Sequence, residues 1–420
     1  MEKIIVRGGR RLSGTVDIST AKNSVLPVIA ASILSGGECL IEEAPMLEDV
    51  FVISDVLKSI KVKIDIDRSN NSIRIDPRNI VNSQPSGELV RKMRASFLIM
   101  GPMISRFGSF KLSLPGGCNI GTRPIDLHLK GIAALGADVK VGHGYVEAKA
   151  NRLIGNKIYL DFPSVGATEN IMMAAVMAEG ETIIENCAEE PEIKDLADFL
   201  NKMGANITGA GTDTIRIDGV KDLKGTTHRP IYDRIEAGTF MVAAAITKSK
   251  INIHGVNEEH LKPIVAKLTE MGVSMEIGNN TIIVDGDKEL KPIDIKTMPY
   301  PGFPTDMQAQ MMSLLCTVRG NSVITETIFE NRFMHAAELK RMGANIKIDG
   351  RSAVIQGVDK LTGCEVKATD LRAGAAMIIA GLSADCCTEI YDVFHIDRGY
   401  VNIENKFKKL GADIIRIRDV

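Results

Sequence analysis

The stretch LADFLNKMGANITGAGTDTIRIDG (196–219) combines a helix pattern, a terminating glycine and a hairpin pattern. Apolar residues at helical spacing precede Gly204, and a glycine at such a point is typical of a helix C-cap. Alternating apolar and polar residues follow, broken by a turn that contains glycine. The stretch therefore predicts an amphipathic helix followed by a β-hairpin.

The same phrase recurs along most of the chain. The glycines of its copies are separated by 68, 68, 71 and 68 residues, and an earlier degenerate copy, LKSIKVKID, lacks the glycine. Repetition at a fixed period is the signature of a repeat architecture, so we predict six units. The copies are LGAD (135–138), MGAN (203–206), MGVS (271–274), MGAN (342–345) and LGAD (410–413).

All units share the same predicted order of secondary-structure elements. A helix rich in small and apolar residues comes first, as in 167–178, 237–246 and 373–382, and a helix that is apolar nearly all round is predicted to be buried. A short β-rich run, the amphipathic helix and the hairpin follow. In the usual α/β barrel the helices surround the strands, whereas this pattern predicts helices on the inside with sheets around them.

The chain ends in DIIRIRDV (413–420), a single strand pattern with no partner after it. The N-terminal patterns KIIVRGG and GTVDIS supply candidates, so we predict that an N-terminal hairpin completes the sixth unit. A chain of 420 residues is long enough for two domains. We predict one domain from about Lys22 to Arg229, and a second that combines residues 1–21 with 230–420, each containing three units.

Composition restricts the class of protein. The chain is 45% hydrophobic and 25% charged, with a net charge of −2 and a pI near 6.4. A binder of nucleic acid or of an anionic membrane would carry a basic excess, so neither partner is expected. Seven cysteines without a CxxC pair fit a reducing cytosolic compartment. The start MEKIIVR lacks a long apolar segment, and no apolar run suits a membrane span, so we expect a cytoplasmic protein.

A glycine-rich stretch, SLPGGCNIGTRPIDLH (113–128), contains Cys118, the cysteine whose neighbouring residues best suit a reactive thiol. Glycines flank Cys118, which predicts a loop that can approach a ligand or move. Arg123 follows closely and would favour the thiolate form. From this loop alone, a reactive thiol and an incidental cysteine in a surface turn remain equally open.

The periodicity and this loop, together with several separated blocks, resemble the enolpyruvyl transferase family, and within it the members that act on UDP-N-acetylglucosamine. The resemblance runs from the first strand to the last and implies two inside-out α/β barrel domains of three repeated units each. The other blocks are AKNSVLP (21–27), MRAS (93–96), FPSVGATEN (162–170), DRIEAGTF (233–240), PGFPTDMQAQ (301–310), ENRFMHAAEL (330–339), TDLRAGAA (369–376) and DRGY (397–400).

The resemblance implies a reaction. The enolpyruvyl group of phosphoenolpyruvate moves to the 3-hydroxyl of UDP-N-acetylglucosamine, phosphate is released, and a tetrahedral intermediate lies between addition and elimination. This reaction begins peptidoglycan synthesis, and the epoxide fosfomycin alkylates the loop cysteine of the family. By resemblance Cys118 is the proton donor to carbon, and it also forms covalent adducts. Asp306 is the implied base, whereas its position before an apolar helix also suits a plain helix cap.

The resemblance also implies which residues bind the two substrates. Lys22, Arg123 and Arg398 would hold the phosphate of phosphoenolpyruvate, with Arg332 and Arg372 near its carboxylate or the intermediate. Arginine suits both anions because its donors form a planar fork. The residues matching the nucleotide-sugar contacts are Asn23, Arg94, Arg123, Pro124, Ile125, Asp126, Leu127, Ser164, Val165, Gly166 and Ile328.

At two positions this chain carries a residue type different from that of some family members, and one residue that matches the family has no assigned function. Phe162 stands where some members carry a lysine, and Glu48 where some carry a basic residue, so both remove positive charge from the first domain. His128 matches the family, but a single loop histidine suggests no function. Neither a metal cluster nor a P-loop is evident, so no cofactor is expected.

Two other functions are alternatives to this transfer. The sister enzyme that acts on shikimate 3-phosphate shares the fold, but its family lacks the PGGC loop. A non-catalytic sugar-nucleotide sensor would need neither Cys118 nor Asp306.

Overall fold

The computed structural model describes residues 2–81, 84–114 and 125–418. Within these residues 14 α-helices alternate with strands. The helices are α1 (Lys22–Ala31), α2 (Glu48–Ser59), α3 (Gly87–Lys92), α4 (Met100–Phe107), α5 (Asp126–Ala134), α6 (Val165–Ala175), α7 (Pro191–Met203), α8 (Arg234–Ile246), α9 (Glu258–Met271), α10 (Gln308–Leu315), α11 (His335–Arg341), α12 (Leu371–Ser383), α13 (Phe394–Asp397) and α14 (Ile403–Lys409). Short 3₁₀ turns cover Ser32–Leu34, Arg94–Ile99 and Thr305–Met307.

The same described residues form 23 strands. They are β1 (Lys3–Arg7), β2 (Ser13–Asp17), β3 (Cys39–Ile41), β4 (Lys63–Asp67), β5 (Ser72–Asp76), β6 (Ser109–Ser113), β7 (Asp138–Gly142), β8 (Tyr145–Lys149), β9 (Lys157–Tyr159), β10 (Glu181–Glu185), β11 (Asn206–Thr208), β12 (Thr214–Asp218), β13 (Thr227–His228), β14 (Lys250–His254), β15 (Ser274–Gly278), β16 (Thr281–Asp285), β17 (Ile295–Lys296), β18 (Asn321–Thr325), β19 (Asn345–Asp349), β20 (Ser352–Gln356), β21 (Glu365–Lys367), β22 (Cys387–Tyr391) and β23 (Asp413–Ile417).

The described chain divides into two compact units. The first unit comprises 20–81, 84–114 and 125–231, and the second comprises 2–19 and 232–418. Sheets of the first unit have the strand orders β13-β3-β5-β4, β6-β8-β7 and β11-β12-β10-β9. Those of the second are β15-β16-β14-β2, β17-β18-β20-β19 and β21-β22-β1-β23. Both units are therefore mixed α/β structures with a repeated sheet pattern.

The helix and hairpin predicted over 196–219 are confirmed. Helix α7 ends at Met203 and is capped by Gly204, whose φ of 110° lies in the left-handed region that favours glycine. Strands β11 and β12 then pair antiparallel, with Ile207 opposite Ile217. A short parallel strand, β9, completes this sheet beside β10 and was not predicted.

The first helix of each repeat is buried, as its composition predicted. Every residue of α8 after Arg234 is buried, as are all residues of α10. Helix α12 is buried from Arg372 to Leu382 and packs against α10. Helices without a polar face need partners on all sides, and the sheets and neighbouring helices supply them.

The predicted N-terminal hairpin is half wrong. Strand β1 lies between β22 and β23 and so completes the last repeat. Strand β2 instead pairs parallel with β14 in a different sheet. Contacts of Leu12, just before β2, hold the chain at the sheet that contains β14. Leu12 is buried, and its N–H donates to the hydroxyl of Ser249, the residue before β14.

Candidate active site

Asp306 lies between two buried arginines in the second unit. Its Oδ1 accepts a hydrogen bond from Arg332 Nη2 at 2.8 Å, and its Oδ2 accepts from Arg372 Nη2 at 2.9 Å and Nε at 3.2 Å. The side chain of Asp306 is 27% exposed, whereas those of Arg332 and Arg372 are 6% and 3% exposed. The carboxylate is thus the accessible member of a buried ion cluster.

Asp306 is not a helix cap. It sits inside the 3₁₀ turn Thr305–Met307, and no side chain caps either that turn or α10. Both carboxylate oxygens are used by the arginines instead. The alternative that Asp306 only caps the following helix is therefore wrong, since guanidinium groups distant in sequence compete for the same oxygens.

The arginines control the charge of Asp306. Burial alone would raise the pKa of Asp306, but the charges and hydrogen bonds of Arg372 and Arg332 hold it well below its usual range. Burial likewise opposes the charge of Arg372, and the nearby Asp306, Tyr400 and Asp233 outweigh it and raise that pKa. Arg372 Nη1 has no hydrogen-bond partner among the described residues. A buried cationic donor therefore lies beside the Asp306 carboxylate without a hydrogen-bond acceptor of its own.

The start of helix α12 positions Arg372. Asp370 caps this helix, accepting from the N–H groups of Arg372 and Ala373 at 2.8 and 3.0 Å. The Arg372 guanidinium lies over the ring of Tyr400, 5.3 Å from its centre. The Tyr400 hydroxyl is 2.9 Å from the hydroxyl of Thr239. Arg398 lies two residues before Tyr400, so its segment is anchored in the same core.

Lys22 and Asp49 form a buried ion pair in the first unit. Lys22 begins α1, and its Nζ lies 2.6 Å from Oδ2 of Asp49 in the first turn of α2. The two side chains are only 12% and 3% exposed. Asn23 and Glu48, their neighbours in sequence, are exposed. Asp49 belongs to none of the motifs identified in the sequence.

Helix α6 begins at the predicted diphosphate residues. Ser164 caps the helix, and its hydroxyl accepts from the N–H of Ala167 at 3.4 Å. Val165 and Gly166 form the first turn, where backbone N–H groups lack partners within the helix and favour anions. Phe162 lies just before and is exposed.

His128 lies against this helix start. A Cβ on Gly166 would be 3.0 Å from His128 Cε1. Asn170 Oδ1 accepts from the N–H of Gly101, so its Nδ2 donates to His128 Nδ1 at 3.0 Å and the ring proton is assigned to Nε2. Burial and the charge of Arg94 lower the pKa of His128 to about 4. A neutral imidazole with an Nε2–H donor therefore borders the first turn of α6.

The structure brings together several, but not all, of the predicted residues. Asp306, Arg332 and Arg372 are in direct contact, and Ile328 and Arg398 belong to the same unit. Ile125, Asp126 and Leu127 lie at the start of α5, and none is fully buried. Predictions for Cys118, Arg123 and Pro124 fall outside the described residues.

The described residues show neither a metal-binding cluster nor a membrane-spanning helix. Among residues 2–81, 84–114 and 125–418, no cluster of three or more His, Cys, Asp and Glu side chains could hold a metal ion. In the same part of the chain, none of the helices is both long and apolar enough to cross a membrane.

The chain matches a known family over nearly its whole length. A family model described as EPSP synthase (3-phosphoshikimate 1-carboxyvinyltransferase) matches residues 6–407. The chain therefore belongs to this family of carboxyvinyltransferases. A relative from Clostridium tetani, named UDP-N-acetylglucosamine 1-carboxyvinyltransferase 2, is 73% identical over 99% of this chain and 100% of its own. One from Clostridium acetobutylicum, named UDP-N-acetylglucosamine 1-carboxyvinyltransferase 1, is 68% identical over the same shares.

Solved structures agree on the fold. The enolpyruvyl transferase NikO from Streptomyces tendae superposes with a TM-score of 0.90 at 24% identity, covering 100% of this chain and 99% of its own. EPSP synthase from Acinetobacter baumannii reaches 0.75 at 19% identity and covers both chains fully. The fold is thus that of the enolpyruvyl transferases.

Proposed function

We infer that this chain transfers the enolpyruvyl group of phosphoenolpyruvate to the 3-hydroxyl of UDP-N-acetylglucosamine and releases phosphate, the first committed step of peptidoglycan synthesis. The observation that carries this inference is the partly exposed Asp306 carboxylate held between the buried guanidiniums of Arg332 and Arg372. The names of relatives at 73% and 68% identity support the choice of acceptor.

In the proposed reaction, the sugar 3-oxygen adds to the central carbon of phosphoenolpyruvate. Cys118 gives a proton to the methylene carbon, and Asp306 accepts the proton of the sugar hydroxyl. The Cys118 thiolate left by the addition then takes back a proton from the methyl carbon of the tetrahedral intermediate as phosphate is expelled. Lys22, Arg123 and Arg398 hold the phosphate, and Lys22 and Arg398 stabilise its charge as the bond breaks.

Substrate binding also prepares the base in this proposal. A carboxylate held ionised by two arginines is a weak proton acceptor. An anionic group of phosphoenolpyruvate near Arg332 and Arg372 offsets part of their positive field at Asp306. The pKa of Asp306 then rises, and the carboxylate becomes a better base in the complex than in the free enzyme.

We propose that the nucleotide sugar is bound through the residues of α1, α5 and α6. Asn23, Arg94, Arg123 and the 124–127 segment contact the sugar and uridine, and Ile328 adds a backbone contact. Ser164, Val165 and Gly166 hold the diphosphate. The N–H groups of the first turn of α6 and the Nε2–H of His128 support this assignment because both are donors suited to an anion.

We propose that each unit is an inside-out α/β barrel. Support comes from three sheets in each described unit and from helices buried along all or most of their length. In functional terms, we propose a nucleotide-sugar domain at 22–229 carrying the Cys118 loop. Residues 1–21 plus 230–420 form the domain that supplies Asp306 and the phosphoenolpyruvate-binding arginines. We further propose that the protein acts in the cytoplasm and needs no cofactor.

Phosphate release tests the proposed function. Purified protein should release phosphate from phosphoenolpyruvate only when UDP-N-acetylglucosamine is present. Release with shikimate 3-phosphate instead would favour the sister activity. If no phosphate is released with either acceptor, a sensor would be favoured.

A methyl group on Gly166 should weaken nucleotide-sugar binding. In Gly166→Ala the new Cβ meets the His128 ring at 3.0 Å, so the ring must shift from the start of α6. We expect the KM for UDP-N-acetylglucosamine to rise about tenfold, because a small misplacement of binding groups is costly. The KM for phosphoenolpyruvate is the internal control. An unchanged nucleotide-sugar KM would argue against a diphosphate site at this helix start.

The pH dependence of the free enzyme should show the low pKa of Asp306. Because neighbouring arginines favour the charged form, kcat/KM for phosphoenolpyruvate should show no acid limb from Asp306 above about pH 4, the ordinary value for aspartate. Replacing one cation, in Arg332→Gln, raises that pKa and moves any such limb to higher pH. Profiles of both proteins measured from acid to neutral pH check this. An identical acid limb in the two profiles would contradict it.

A further inference from the structure

Glu326 is a buried carboxylate at the end of strand β18, and the sequence gave no reason to select it. Its residue is only 1% exposed. Oε1 accepts hydrogen bonds from Thr297 Oγ1 at 2.8 Å and from the N–H groups of Ile328 and Phe329 at 2.9 and 3.2 Å. Oε2 accepts from Thr305 Oγ1 at 2.8 Å. Four donors therefore converge on one buried charge, which they stabilise.

The directions of these hydrogen bonds are fixed by their neighbours. Thr305 Oγ1 also accepts from Arg332 Nη1 at 3.1 Å, and a guanidinium only donates. The single hydroxyl proton of Thr305 must therefore point to Glu326. Similarly, Thr297 Oγ1 accepts from the N–H of Thr327 at 2.9 Å and gives its own proton to Glu326. Only an acceptor at both oxygens satisfies this arrangement.

A continuous chain of bonds leads from Glu326 to the candidate base. Thr305 precedes Asp306 directly, and Arg332 bonds Thr305 through Nη1 and Asp306 through Nη2. The orientation of the Arg332 fork thus depends on the Thr305 hydroxyl, which Glu326 orients. Through its other oxygen, Oε1, Glu326 accepts a hydrogen bond from the N–H of Ile328 and so restrains the backbone at that residue.

We propose that Glu326 is a positioning residue that holds Arg332 and Asp306 in their reactive arrangement. It also fixes the Ile328 backbone in the position that contacts UDP-N-acetylglucosamine. It acts through Thr305 and the 327–329 backbone and does not touch the reacting atoms. The proposal rests on the proposed function only for its kinetic readout. A carboxylate fits this role better than an amide because both of its oxygens accept.

The isosteric variant Glu326→Gln provides the first test. Its amide oxygen still accepts from Thr297 and Ile328, but its NH₂ group faces the Thr305 hydroxyl and cannot accept from it. We expect a melting temperature close to that of the wild type and a kcat lower by about thirtyfold, since misplacing reacting groups by a fraction of an ångström is costly. Glu338→Gln is the matched control, because Glu338 is also largely buried and accepts a backbone N–H, from Lys367, yet bonds none of these residues.

A double-variant cycle separates positioning from general destabilisation. Thr305→Val removes the hydroxyl that links Glu326 to Arg332 and keeps the side-chain shape. If Glu326 acts through Thr305, Glu326→Gln combined with Thr305→Val should lower kcat little more than Thr305→Val alone. Multiplicative losses, or a Glu326→Gln kcat equal to that of the wild type per folded molecule, would overturn the proposal.

A crystal structure of Glu326→Gln gives a readout that needs no activity. We expect the 2.8 Å contact between Arg332 Nη2 and Asp306 Oδ1 to lengthen or break. An unchanged contact would overturn the positioning role. Inactivity of the wild-type protein with UDP-N-acetylglucosamine would instead contradict the proposed function, so the two failures are distinguishable.

Discussion

The Asp306→Asn variant is expected to lose about a thousandfold in kcat, because a positioned general base contributes roughly a hundred- to ten-thousandfold. Asparagine keeps the shape of the side chain but cannot accept the hydroxyl proton. It also leaves the guanidiniums of Arg332 and Arg372 without their counter-charge, at 2.8 and 2.9 Å. Turnover measured at saturating concentrations of both substrates, per folded molecule, reports the catalytic loss separately from any loss of stability.

A surface variant provides the matched control for this prediction. Asp359→Asn makes the same chemical change in an exposed pair with Arg319, where both side chains are more than four-fifths exposed. Exposed pairs contribute little, so activity and stability should stay at wild-type values. A folded Asp306→Asn protein that keeps more than a tenth of wild-type kcat would contradict the assignment of Asp306 as the base.

The second large effect is expected for Lys22→Met. Removing the cation takes away the 2.6 Å ion-pair partner of Asp49, whose side chain is only 3% exposed. Breaking a buried ion pair from one side costs about 3–5 kcal/mol, so the free energy of unfolding in urea should fall by about that amount. Because Lys22 is also a proposed phosphate ligand, phosphoenolpyruvate turnover should fall strongly.

A double variant distinguishes the two roles of Lys22. In Lys22→Met with Asp49→Asn, the carboxylate that lost its lysine partner is removed as well, so most of the lost unfolding free energy should return. Turnover should not return, since the phosphate ligand is still missing. Recovery of turnover would assign Lys22 to structure alone, and an unchanged stability of Lys22→Met would refute the energetic importance of the buried pair.

Local sequence patterns predicted the repeated elements well because each depends on residues close together in the chain. Gly204 marks a helix end since its left-handed backbone favours glycine there. The placement of β2 was missed because strand pairing is decided by distant contacts. Leu12 is buried and bonded to Ser249, 237 residues away, and no local pattern reports that contact.

The site divides in the same way. Asp306, Arg332 and Arg372 were selected through resemblance, but the sequence did not indicate that Asp306 would bond both arginines. Glu326 and Asp49 were missed entirely. Neither belongs to a motif that the sequence made recognisable, and their importance lies in burial and in partners from other elements. Sequence spacing carries neither kind of information.

Identification of the reaction product tests the central claim most directly. The protein is incubated with phosphoenolpyruvate and UDP-N-acetylglucosamine, and the products are analysed by mass spectrometry and NMR. We expect a stoichiometric enolpyruvyl ether at the 3-oxygen of the sugar together with free phosphate. Unmodified UDP-N-acetylglucosamine alongside an enolpyruvyl ether of shikimate 3-phosphate, when that acceptor is offered in competition, would contradict it.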